Sequence, residues 1–281
     1  MTERSEKRRG RTWIIVVVII VILLVLCGCV AVVAGIAVWS GQRPGVWPWR
    51  GTLEGIEVPR IGGQTEATRE LADVFDVETP VLVEVENNVG SIEIVGTDEQ
   101  EVVVEVVIRG YGSTRAQAEQ AADDVEITME QRDEDHIYVV GRTPSRTLRQ
   151  TPNVAFVLHV PRECDLEITN NVGDVHVQEI DGAANIEVDV GTIDVRGWTM
   201  TQDSYLSTDV GKIQARLWEE SAFYLDASAN VGDIDTDFDV EGARDRQLVP
   251  GDRLEGAVGE DPYIELRVRT DVGDIKILQE R

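Results

Sequence analysis

Residues 169–197 read TNNVGDVHVQEIDGAANIEVDVGTIDVRG, and the stretch says nearly the same thing twice. Asn171-Val172-Gly173 leads into an alternating apolar segment, and Asp189-Val190-Gly191 leads into another. The same triplet occurs four more times, as Asn88-Val89-Gly90, Asp209-Val210-Gly211, Asn230-Val231-Gly232 and Asp271-Val272-Gly273. Two residues after each glycine stands Ile92, Val175, Ile193, Ile213, Ile234 or Ile275. Five residues before it stands Val85, Ile168, Ile186, Leu206, Ala227 or Val268. Apolar side chains thus occupy odd offsets before the glycine and even offsets after it. A straight strand cannot change phase, because its side chains alternate with period two. The Val-Gly step therefore has to be a bend or bulge whose flanking strands face one core, with glycine supplying positive φ and the Asx side chain bonding backbone across the corner. On this reading Asx closes the corner, Val fills it and Gly turns it.

The spacings from Gly173 to Gly191, Gly211 and Gly232 are 18, 20 and 21 residues, the length of one coil of short strands and turns. The expected fold is all-β: a β-solenoid or β-helix-like stack of ~20-residue coils, with Gly90, Gly173, Gly191, Gly211, Gly232 and Gly273 as repeat corners. The next spacing, 41 residues, contains the charged stretch 241–262, which reads as a loop inserted into one coil. Ahead of the coils, SIEIVG and EVVVEVVIRG flank Thr97–Gln100 as in a hairpin. Thr114 and Gln117 then have capping-box spacing before an alanine-rich helix ending near Asp124. Hairpin and helix together form the expected N-terminal cap. VEITME, HIYVVG and VAFVLHVP read as further strands.

The first 80 residues differ in kind. Residues 1–12 are a basic tail with a net charge of +3, which leaves −29 on the rest of a chain whose total is −26. Residues 13–39 carry no charged side chain and span ~40 Å as a helix, enough for one transmembrane helix bracketed by Trp13 and Trp39. The basic residues precede the span, so the N-terminus is expected to be cytoplasmic and the C-terminal domain extracytoplasmic at the cell membrane. Cleavage after the small residues Ala31, Ala34 or Ala37, and lipoprotein processing at Cys29, are the alternatives to an uncleaved anchor. Residues 40–80, with Pro44, Pro48, Pro59, Trp47 and Trp49, read as a linker with a short helix near Thr65–Val74. Residues 81–281 form the repeat domain.

The acidic body disfavours nucleic acid and anionic lipid headgroups as partners. Cys164 is the single cysteine beyond the span, so no disulfide is expected within the domain, and it reads as a small buried hydrophobe. Stacked corners bring Asx side chains into a column, with Asp271 one layer beyond Asn230 if the long coil stacks normally. A weak Ca²⁺ column of Asp189, Asp209, Asp233 and Asp271 is weighed against an Asx ladder that satisfies turn amides, and the ladder is preferred because Asn alternates with Asp. His136, His159 and His176 fall in strands. Paired acids such as Asp233 and Asp235 keep a polysaccharide-acting β-helix enzyme open as the less favoured reading, because the carboxylates are spread over every corner instead of concentrated on one concave face. No catalytic residue, cofactor or small-molecule substrate is expected.

The Asx-Val-Gly-x-Ile repeats, the opening VEVENNVGSIEIVGTDEQEVVVEV and the segment VAFVLHVPRECDLEITNNVGDVHV resemble the bacterial and archaeal "putative adhesin" family of β-strand-repeat domains of unknown function. The resemblance covers residues 81–281. It implies a solenoid-like stack of short strands, often behind an N-terminal anchor, and no established catalytic residues. The expected function is a membrane-anchored, non-catalytic surface interaction or scaffold module meeting envelope proteins or surface glycans. The alternative is an envelope-stress accessory or sensor that binds another membrane protein.

Overall fold

Segments of strict alternation, each broken by an Asx-Val-Gly corner, assemble in the computed structural model into two facing sheets. The structure describes residues 65–144, 151–242 and 251–280. The basic tail, the apolar span 13–39 and the linker up to residue 64 lie outside the described residues. No helix among the described residues is long and apolar enough to cross a membrane.

The chain runs through β1 (Thr65–Asp76), β2 (Val81–Val89), β3 (Ile92–Thr97) and β4 (Glu101–Gly112) into helix α1 (Arg115–Asp123). Next come β5 (Glu126–Asp133), β6 (His136–Arg142), β7 (Asn153–Pro161), β8 (Cys164–Val172) and β9 (Val175–Gln178). Then follow β10 (Ala184–Val190), β11 (Ile193–Trp198), β12 (Ser204–Val210), β13 (Ile213–Trp218), β14 (Phe223–Val231) and β15 (Ile234–Thr236). The last four are β16 (Val240–Glu241), β17 (Asp252–Val258), β18 (Glu265–Val272) and β19 (Ile275–Glu280).

One sheet has the order β1-β4-β7-β3-β9-β11-β13-β19-β15 and the other β16-β17-β14-β18-β12-β10-β8-β2-β6-β5. Each corner glycine joins a strand of the second sheet to a strand of the first, so the phase change in the sequence is the chain stepping from one sheet to its partner. Within the stack the strands are parallel and in register, and the residues two after each glycine form one buried row through Ile92, Val175, Ile193, Ile213 and Ile275, ending at half-buried Ile234. Facing it is the row Val85, Ile168, Ile186, Leu206, Val268 and Ala227, also buried. Two such rows, each side chain contributing ~1.5–3 kcal/mol on burial, are the main reason the sheets stay together.

The structure corrects four expectations about the arrangement of the strands. First, the frame is all-β, but it is two sheets and not a closed coil wound in chain order. The layer formed by β18 and β19 lies between the β12–β13 layer and the β14–β15 layer. Asp271 therefore sits between Asp209 and Asn230, and not beyond them. Second, β3 and β4 are not a hairpin. β7 lies between them, parallel to β3 and antiparallel to β4, because its buried Phe156 and Leu158 fill the space that separates Ile92 and Ile94 from Val106 and Val104. Third, Thr65–Val74 is no helix. It belongs to β1, paired residue for residue with β4, whose edge offers twelve backbone partners that a lone helical turn would forgo. Fourth, the stretch 241–262 is not simply a loop, since it includes β17, which pairs antiparallel with β14.

The helix is as expected. Thr114 Oγ1 accepts from the Gln117 amide at 3.3 Å, and Gln117 Oε1 accepts from the Ser113 amide at 3.0 Å. Ala118, Ala121 and Ala122 are buried, and the helix backbone lies directly on Gly110 and Gly112 of β4. A Cβ on Gly112 would fall 2.6 Å from the Ala118 amide nitrogen, so only glycine lets helix and strand approach this closely.

Candidate functional site

The corner column is the most regular part of the surface. In spatial order its glycines are Gly90, Gly173, Gly191, Gly211, Gly273 and Gly232, with φ of 140°, 136°, 156°, 156°, 150° and 142°. Successive layers are tied by amide-to-carbonyl bonds from Gly90 to Val172 (2.8 Å), Gly173 to Val190 (2.9 Å), Gly191 to Val210 (3.0 Å), Gly211 to Val272 (2.9 Å) and Gly273 to Val231 (2.9 Å). A second set, two residues on, runs from Val175 to Thr192 at 2.8 Å and from Ile193 to Lys212 at 2.9 Å. A Cβ on Gly173, Gly191, Gly211, Gly273 or Gly232 would overlap the carbonyl oxygen of the neighbouring corner glycine. Glycine is thus required twice, once for its φ and once for the closeness of the next layer.

Beneath the corner, three residues before the glycine, a position with inward phase carries Asn87, Asn170, Thr208 and Thr270, all buried. Asn170 Nδ2 donates to the Gly90 carbonyl at 3.0 Å and Asn87 Nδ2 to the Val154 carbonyl at 3.1 Å. Thr208 Oγ1 donates to the Gly191 carbonyl at 3.4 Å, so Asn170 and Thr208 satisfy corner oxygens, and Asn87 an oxygen of β7, that would otherwise be costly to bury. Sequence reasoning missed them. The available signal was that four of the six repeats are polar at an inward phase.

The corner valine does not fill the corner. Val172, Val190, Val210, Val272 and Val231 are 45%, 46%, 47%, 47% and 47% exposed. Paired in register, they form a continuous outward apolar ridge, five layers long, or ~19 Å between its ends at the usual interstrand spacing. Outside the ridge on one side are Asn171, Asp189, Asp209, Asp271 and Asn230, all exposed. On the other are Asp174, Thr192, Lys212, Asp274 and Asp233.

Of the four residues in the disfavoured Ca²⁺ column, the structure brings Asp189, Asp209 and Asp271 into adjacent layers and leaves Asp233 across the corner. Asp271 Oδ1 accepts from Asn230 Nδ2 at 2.7 Å. Asp174 Oδ1 accepts from the Thr192 amide at 2.8 Å and Asp274 Oδ1 from the Asp233 amide at 3.4 Å. Those are the bonds of an Asx ladder. Among the described residues no group of three or more His, Cys, Asp or Glu side chains is placed to hold a metal ion. Asp233 and Asp235 flank Ile234 on the exposed strand β15, and Asp235 is ion-paired with Lys276 at 3.3 Å.

The remaining groups singled out by sequence are structural. His136, His159 and His176 lie in β6, β7 and β9. Cys164 is fully buried in β8, where desolvation first, and then the charges of Asp165 and Asp181, push its thiol up to about 12. Among the described residues Asp194 is the one buried carboxylate, and it lies on the outer face of its sheet. Arg196 Nη2 reaches it at 2.5 Å, Arg216 at 3.3 Å and Gln214 at 3.2 Å. Burial alone would raise this carboxyl, but the bonds and charge of Arg196, with Gln214 and Arg216, outweigh burial and hold it below its ordinary value.

An all-β repeat protein with one column of identical corners and no convergent catalytic groups among its described residues is the class this frame defines. Within it, residues 158–278 match the profile of the Toastrack family, DUF4097, which bears out the resemblance to an adhesin-like β-repeat family of unknown function. Among solved structures, a protein from Clostridium sporogenes described as a "putative cell adhesion protein" shares the fold at a TM-score of 0.54 and 16% identity, over 76% of this chain and 100% of its own. A "putative adhesin" from Bacteroides fragilis aligns at a TM-score of 0.28 and 11% identity, over 74% of this chain and 97% of its own. A "putative lipid binding protein" from Parabacteroides distasonis aligns at 0.21 and 11%, over 75% and 96%. Among curated proteins no match is found.

Proposed function

We propose that the chain is a membrane-anchored, extracytoplasmic, non-catalytic interaction module whose solenoid-like stack presents the corner ridge to a partner in the cell envelope, a protein or a surface glycan. The observation that carries this is the ridge itself. Glycine at the corner is accounted for by backbone geometry, but the valine before it is repeated in all six copies while half of its surface stays in water in five of them. An apolar line held at fixed spacing between two polar, largely acidic columns is a contact surface in want of a partner. The anchoring reading rests on the apolar run 13–39 and on the basic tail before it.

Proximity labelling in intact cells tests the proposal. The full chain is compared with a triple variant, Val190→Thr, Val210→Thr and Val272→Thr, which keeps β-branched side chains in the strands but wets the ridge. The expected result is loss of specific neighbours with no change in melting temperature. An unchanged neighbour set would sink the ridge as the contact surface. If replacing residues 13–39 with an unrelated span removed the neighbours instead, the accessory or sensor reading would take its place.

A further inference from the structure

The two sheets have four edges, and three of them are blunted. β15 is three residues long and β16 is two. β5 carries Glu126, Glu130, Arg132 and Asp133, and its register breaks between Gln131 and Asp133. Short length, charge and bulges are the usual means of keeping a sheet edge from pairing with another chain. β1 has neither of the geometric ones. It runs for twelve residues without proline, glycine or bulge, paired with β4 at every position, and at ~3.4 Å per residue it is ~41 Å long. Among the described residues no strand pairs with its other side, so its outward N–H and C=O groups are open to pairing, apart from the Val74 amide, which donates to Asp73 Oδ1 at 2.9 Å. Val74, 55% exposed, adds an apolar side chain to that edge.

We propose that two copies of this chain join through β1, edge to edge and antiparallel, about a two-fold axis at Leu71, merging their first sheets into one. The sequence of β1 selects both the occupant and the register. Pairing about Leu71 sets Arg69 opposite Asp73 of the second copy, twice by symmetry, with Ala67 opposite Phe75 and Leu71 opposite itself on the same face. On the other face Thr68 meets Val74 and Glu70 meets Ala72, and Glu66 opposite Asp76 is the one like-charge pair. Centring the pair on Glu70 sets that carboxylate against its own copy, and centring it on Ala72 leaves Arg69 facing Phe75. Helix α1 does not obstruct the join, since it lies on Gly110 and Gly112, which pair with Ala67 and Thr65, and the symmetry places its copy at the opposite end of the strand. Repulsion between the acidic bodies is damped at physiological salt, where the screening length is ~8 Å. The inference rests on the edge alone and is independent of the corner ridge.

Sedimentation equilibrium of the full chain in density-matched detergent tests it, with Asp73→Arg and Arg69→Asp as variants and circular dichroism as the folding control. Wild type is expected to dimerise reversibly. Each variant alone should associate at least tenfold more weakly, because like charges then face each other twice. A one-to-one mixture of the two variants should recover the dimer, since the chain carrying Asp73→Arg then sets two arginines opposite the two aspartates of the chain carrying Arg69→Asp. Asp73 is exposed, so its variant keeps the test decisive even if Arg69, whose guanidinium lies 3.5 Å from the Ala122 and Val125 carbonyls, also supports the helix end. A monomeric wild type would overturn the proposal. So would a dimer that survives Asp73→Arg, which would assign association to another surface such as the apolar span.

Discussion

Replacing Gly191 by alanine tests the corner most severely. Its φ of 156° lies where L-residues are seldom found, at a cost of about 1–2 kcal/mol. The new methyl group also overlaps the Gly173 carbonyl oxygen, so one layer has to move away from the next. That movement loads the Gly173–Val190 bond at 2.9 Å and the Val175–Thr192 bond at 2.8 Å, each with a net value of about 0.5–1.5 kcal/mol. Together these terms come to about 2–5 kcal/mol, a large part of the ~5–15 kcal/mol that holds a typical domain folded. The matched control is Gly242→Ala, where φ is 71° but nothing lies within 4 Å of the added carbon. Cys164 supplies the assay. It is the only thiol in the sequence after the apolar run 13–39 and is fully buried, so its labelling rate in a Cys27→Ser/Cys29→Ser background reports opening of the stack. Gly191→Ala should speed labelling by at least thirtyfold and lower the urea midpoint, whereas Gly242→Ala should show only the smaller effect of its φ. Equal effects of the two substitutions would refute the stacking argument and leave backbone conformation as the whole explanation.

Two further outcomes follow from packing and charge. Gly110→Ala should detach α1 from β4, since the added methyl group would sit within 3.0 Å of Ala122 Cβ and closer still to the helix backbone; lost helical ellipticity and exchange protection confined to 115–123 would show it. Asp194 has a carboxyl held below its ordinary value, so its contribution to stability is present above the unfolded pKa of about 3.9 and is lost as pH falls through the lower folded value. Asp194→Asn should therefore reduce the urea midpoint at pH 6 and have a smaller effect at pH 2; an equal loss at both would assign Asp194 a packing role only.

What was legible in the sequence was whatever repeats. The six glycines, the buried rows on either side of them and the bend between them all follow from one phase argument, because period-two burial leaves few alternatives; that the bend is a step from one sheet to the other is seen only in the structure. The capping box of α1 was legible for the same reason, being a local rule with a fixed spacing. What was lost is non-local. Nothing between Thr97 and Gln100 announces that β7 will slide between β3 and β4, because its claim to that place comes from the size of Phe156 and Leu158. β1 looked helical in isolation and became a strand only through β4, its partner at every position. At the corner, both phases meet at the valine, and alternation alone could not say whether Val190 turns inward or out. Its 46% exposure is what moves it from filler to surface.

The placement of β18 and β19 between layers made earlier in the chain has a consequence for biosynthesis. Layers β8–β9, β10–β11 and β12–β13 can be laid down as they leave the ribosome, each on the one before it. β14 emerges next and can pair with β17, but β14 and β15 cannot join the earlier layers until β18 and β19 arrive and slip in between. The segment 265–280 is therefore a keystone of the stack. A stop codon at position 265 would cut the stack in its interior and leave β14, β15 and β17 as a detached flap with an open apolar edge. Quality control by the cell should be correspondingly strict at this segment, and a nascent chain stalled before it should be a preferred substrate for chaperones and proteases.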